Sequence, residues 1–116
     1  MTPIAKAIGN SLLEHHRGIQ RNHTVRPPII DRCVITYGDL CDHAGYPEVT
    51  QGVGRYLQEI AELCHQQGWP PLNSLAVNKD NRVPGGNYDL APGCSLATWD
   101  RDAERCILFA GYPNTV

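Results

Sequence analysis

The sequence predicts a mainly α fold (α+β) in one small domain. Apolar residues recur at three- and four-residue steps along two long segments, the mark of amphipathic helices. Between proline and glycine breaks only short apolar runs remain, enough for brief strands. The 116 residues, 41% hydrophobic and 19% charged, have the length and balance of a single globular unit.

Thr2-Pro3 opens the chain as a helix cap followed by proline at the first helical position. Ile4, Ile8, Leu12 and Ile19 then set a helix over about 3–22. Arg26-Pro27-Pro28 stops it, so residues 1–28 read as a helix and linker. A core follows over 29–90, beginning with extended Ile29-Ile30 and a short strand at Val34-Ile35. Thr36-Tyr37-Gly38-Asp39 is a capping-box variant; it starts a two-turn helix that Gly45 and Pro47 close. Val49, Val53, Leu57, Ile60, Leu63 and Cys64 mark the clearest helix, stopped at Gly68. After Trp69-Pro70-Pro71, residues 72–79 read as a strand. Asp80-Asn81 turns it into a returning arm ending at Asn87-Tyr88. In the last segment, 91–116, Trp99, Ala103, Cys106, Ile107 and Ala110 fit a helix packed on the core, although residues 106–109 alone also suit a strand. Short helix, turn, longer helix, then a β-hairpin wing is the order of a winged helix-turn-helix.

Ten basic against twelve acidic residues give a net charge of −2, which argues against a protein that coats nucleic acid through phosphate neutralisation alone. The charge is uneven, +3 over residues 1–36, −4 over 37–90 and −1 beyond. Five cysteines without a CxxC pair point to reduced structural thiols. A zinc site joining Cys41-Asp42-His43 to Cys64-His65 is the less favoured alternative, so no metal and no cofactor are expected. No apolar run reaches membrane-spanning length and no signal segment opens the chain. A cytoplasmic protein without a membrane partner is expected.

Several short motifs share a pattern. Val34-Ile35-Thr36-Tyr37-Gly38-Asp39-Leu40, Gln51-Gly52-Val53-Gly54, Ala76-Val77-Asn78-Lys79 after Pro71, and Gly85-Gly86-Asn87-Tyr88 lie in this order. Together they resemble the DNA-binding domain of the O6-alkylguanine-DNA alkyltransferases and alkyltransferase-like proteins, over about half the chain. The resemblance implies duplex DNA as partner. It also implies a recognition role for the helix after Gln51 and a base-contacting or phosphate-contacting role for Tyr37. Val77 stands at the alkyl-accepting cysteine, Gln51 at the arginine finger and Tyr56 at a small residue of the recognition helix. The transfer chemistry therefore has no nucleophile here, and no enzyme is expected; no catalytic triad, paired-carboxylate or HExxH arrangement is present either.

The expected function is non-catalytic DNA binding, with Gln51 and Arg55 reaching a groove and Asn78, Lys79 and Arg82 forming the phosphate-contacting wing. Tyr37 and Tyr88 complete the candidate residues. The alternative is a protein-protein interaction module on the same fold, an adaptor or inhibitor such as phage-defence or restriction systems use. The acidic residues Asp39, Asp42, Glu48, Glu59 and Glu62 favour that alternative. A weaker third reading places a nucleotide pocket at Tyr37 and Asn87-Tyr88.

Overall fold

A computed structural model describes residues 1–21 and 33–116; the Arg26-Pro27-Pro28 stop, the Ile29-Ile30 segment and the first domain boundary lie outside them. The described chain is mainly helical with one two-stranded parallel sheet. Helix α1 spans Pro3–Arg21, and the Thr2 hydroxyl accepts from the Ala5 amide at 3.3 Å, the expected cap. Strand β1 is Ile35–Thr36. Helix α2 is Tyr37–Ala44, capped by the Thr36 hydroxyl, which accepts from the Asp39 amide. A 3-10 segment, Pro47–Gly52, leads into α3, Gly54–Gln67. Another, Leu72–Leu75, leads into β2, Ala76–Val77. Helix α4 is Trp99–Leu108, which decides the last segment for helix over strand.

Helices α2 and α3 both end on a glycine in the left-handed region, Gly45 at φ 85° and Gly68 at φ 72°, where a side chain would be strained. Helix α1 buries Ala5, Ile8, Leu12, Leu13 and Ile19 against α2, α3 and the Leu72–Leu75 turn. From the other side α3 contributes Leu57, Ile60 and Cys64, with Tyr56 also inside. At 25 cal/mol per Å² such burial is the main favourable contribution to folding.

The expected hairpin wing is corrected by the structure. Strand β2 pairs parallel with β1, Ile35 opposite Ala76 and Thr36 opposite Val77, and the arm after it turns back without forming a ladder. That turn is tight: Val83 O accepts from the Asn78 amide at 2.9 Å and Asn78 O from the Arg82 amide at 3.0 Å. Residues 72–75 are not strand because Ser74 bonds back to Pro71 O through both its amide and its hydroxyl, a local alternative to a ladder. The helix read from Val49 begins only at Gly54, since the glycines at 52 and 54 are weak helix formers and the residues before them close as a 3-10 turn.

The tail after α4 is tied across α1. Gln20 donates to Phe109 O at 2.9 Å, Arg17 to Asn114 O at 2.8 Å, and the Val116 amide donates to Asn10 Oδ1 at 2.7 Å. Tyr112 lies at the centre, edge-on to His16, Trp69 and Phe109. His16 is 3% exposed and its Nε2 meets Cys106 O at 2.8 Å, so the neutral ring donates there. Burial lowers its pKa below the ordinary 6.5. The unfolded chain then binds the proton more readily, and stability is present above about pH 6.5 and falls as the pH drops below it. Urea midpoints measured between pH 8 and pH 5 should fall with acid in the wild type and fall less in His16→Gln. Equal slopes in the two proteins would remove His16 as the cause.

Candidate functional site

Because β1 and β2 run parallel, their C-terminal ends lie side by side, and the chain leaves them as Tyr37 and Asn78 at one end of the pair. In parallel sheets this end is where crevices form. A cleft of about 610 Å³ opens there between the start of α2, the Pro47–Gly54 segment and the loop after β2, a size suited to a small molecule or one or two residues of a bound chain.

Four sequence candidates, Tyr37, Gln51, Asn78 and Lys79, line this cleft; Arg55, Arg82 and Tyr88 do not. Arg55 is exposed on α3, its guanidinium 4.6 Å from the Tyr56 ring centroid and bonded to the Tyr56 hydroxyl. Glu59, four residues on, accepts from the Thr2 amide and hydroxyl at 2.9 and 2.8 Å. Arg82 is exposed in the Asn78–Val83 turn, at φ 60°. Tyr88 is 1% exposed and donates to Asp102 Oδ2 at 2.7 Å; it is a core group, out of reach of a partner.

The cleft's charges come from Lys79 against Asp39, Asp42 and Asp80. Asp39 occupies the first turn of α2, so the chain's own carboxylate takes the place an external anion would have at the helix's positive end. The outer face of α3 carries Arg55 with Glu59 and Glu62, with no basic stripe.

Neutral polar groups form the rest. The Tyr37 hydroxyl accepts from the Gly85 amide at 2.8 Å and keeps its own hydrogen to donate; burial raises its pKa, so the phenol stays protonated. Asn87 is wedged between two backbones. A Cβ on Gly54 would lie 2.9 Å from Asn87 Cγ, and one on Gly85 would lie 3.1 Å from Asn87 Oδ1. A side chain at Gly54 would force Asn87 to shift, and one at Gly85 would crowd it. Sequence reading placed Asn87 in the minor nucleotide-pocket alternative; the Gly-Gly pair before it was the available signal.

Val77 is fully buried. All five thiols have raised pKa values with desolvation as the main cause, Cys64 to about 11 and Cys106 to about 12. Thiolate, the reactive form, is thereby suppressed. Folded protein at pH 7.5 should react slowly with iodoacetamide at every cysteine and rapidly in urea, and it should gain no methyl group from O6-methylguanine DNA, both read by intact mass. One fast-labelling thiol in the native state would contradict the expected inertness. Among the described residues no group of three or more His, Cys, Asp or Glu is placed to hold a metal, and no helix is long and apolar enough to cross a membrane.

No protein-family model matches the chain, and no curated protein or solved structure matches it.

Proposed function

We propose that this chain is a non-catalytic recognition module and that its cleft takes a segment of a protein partner. The observation that carries this reading is the charge of the cleft: three carboxylates, Asp39, Asp42 and Asp80, against the single ammonium of Lys79. Phosphates gain affinity by meeting cations, and this surface meets them with anions. A cationic peptide gains from the same field.

DNA binding is the second reading. It is favoured by the α2–turn–α3 order, which is that of a helix-turn-helix pair, by the resemblance on the motifs at 34–40, 51–54 and 76–79, and by the exposed Arg55, Lys79 and Arg82. In that reading Gln51 enters a groove and the cations lie on phosphates, with the Asn78–Val83 turn in place of a wing.

One titration separates the two. At low salt a 20-base-pair duplex should show no anisotropy change up to about 100 micromolar protein, weaker than ordinary nonspecific affinity. Duplex binding at that level, weakened by Lys79→Ala with a salt slope shallower by about one, would replace the protein reading with the DNA reading.

A further inference from the structure

The neutral groups of the cleft converge more closely than its charges require. Around the Cα of Gly85, a Cβ would find Asn87 Oδ1 at 3.1 Å, Asn78 Nδ2 at 3.6 Å and the Tyr37 hydroxyl at 3.7 Å. Each retains unused hydrogen-bonding capacity. The Tyr37 oxygen accepts from Gly85 and still holds its hydrogen. Asn78 Nδ2 donates one hydrogen to Val83 O at 3.3 Å and has a second. The Asn87 amide has no protein partner among the described residues, and its side chain packs closely over Gly54 and Gly85. An amide left unpaired in an open cleft, beside two further groups with hydrogens to spare, is placed for a ligand that supplies the missing partners.

We propose that Tyr37, Asn78 and Asn87 read the main chain of one residue in an extended segment of the partner, and that Asp39 and Asp42 hold a basic side chain beside it. In an extended chain the N–H and C=O of one residue point to the same side. The carbonyl accepts from the Tyr37 hydroxyl and the second Asn78 hydrogen, and the N–H donates to Asn87 Oδ1. This donor and acceptor set selects no side chain; the selection comes from the carboxylates, which fit arginine or lysine and repel acidic residues. The occupant is therefore an extended basic peptide, by charge complementarity with a cleft that carries three carboxylates and one lysine. The inference rests on the protein-partner reading and adds to it the residues that do the reading.

The test uses the full chain and a capped probe peptide, Gly-Gly-Arg-Gly-Arg-Gly-Gly, with its Gln-for-Arg counterpart and a duplex oligonucleotide. The side-chain amide resonances of Asn78 and Asn87 are followed by NMR. The arginine peptide should shift both saturably, the glutamine peptide should bind at least about tenfold more weakly, and Asn87→Ala should weaken the arginine peptide by a similar factor, the loss of about one hydrogen bond. Tyr37→Phe, which keeps the ring, should weaken it too, with backbone amide spectra confirming that both variants are folded. Binding unchanged in both variants, or shifts centred away from the cleft, would overturn the main-chain receptor while leaving the protein reading in place. If the duplex moves the same resonances and the peptide does not, the protein reading itself falls.

Discussion

Replacing Tyr112 by alanine should remove about 3–5 kcal/mol of stability, the range for truncating a packed aromatic side chain. The ring stands edge-on to three others, with centroids 4.9 Å from His16, 5.9 Å from Trp69 and 4.7 Å from Phe109. Such pairs contribute beyond their buried area. Its hydroxyl donates to Pro70 O at 2.5 Å, so one side chain joins the tail, α1 and the turn after α3. Domains of this size have about 5–15 kcal/mol in total, and the variant should be largely unfolded at modest urea. Tyr112→Phe keeps the rings and loses one hydrogen bond, at a cost of about 1 kcal/mol. The two urea midpoints should therefore be widely separated; coincident midpoints would show that the hydroxyl, rather than the ring cluster, carries the effect.

Leu75→Ala should cost about 2–5 kcal/mol. Leu75 is 0% exposed in the Leu72–Leu75 turn, which touches α1, α3 and α4. A void there faces three helices that other contacts already hold apart, so collapse to fill it is limited. The turn also runs directly into β2, and the loss should reach the cleft as slower recovery of the Asn78 amide signal after unfolding. Leu108→Ala is the matching control. Leu108 is 63% exposed, and its truncation should change stability by under about half a kcal/mol. Similar midpoints for the two variants would place the core elsewhere.

Helices were legible wherever a 3.6-residue apolar period ran uninterrupted. Pro3–Arg21 follows directly from that period and its cap, whereas for Gly54–Gln67 the period and Gly68 give the body and the end but place the start at Val49. Strands of two residues carry no period at all. The sequence places the first strand at Val34-Ile35, one residue before Ile35–Thr36, and of the eight residues expected as strand at 72–79 only Ala76–Val77 pair, because Ser74 bonds within its own turn. The parallel pairing was invisible in the sequence, since an Asp80-Asn81 turn suits a hairpin equally well. In the candidate site, Tyr37, Gln51, Asn78 and Lys79 were chosen from separate motifs, and the fold brings them to one cleft. Tyr88 is a core group that the sequence does not reveal as one, because a tyrosine beside a glycine-rich loop suits a surface as well as a core and its partner Asp102 lies in a separate helix, α4. The tail's role rested on Tyr112, and a single aromatic without a repeat gives no pattern to read.

The pairing of Ile35–Thr36 with Ala76–Val77 carries a consequence for the order in which this molecule assembles. Parallel strands need a long crossover, and here the whole of α2, its following turn and α3 lie between them. The loop-closure cost of that connection falls due before the contacts that reward it, so the pairing is a slow, non-local event. Local helices can form first, but Tyr37 and Asn78 become neighbours only when the crossover closes. The cleft therefore depends on a non-local event: a partly refolded chain can hold its helices before Tyr37 and Asn78 have been brought together at its walls.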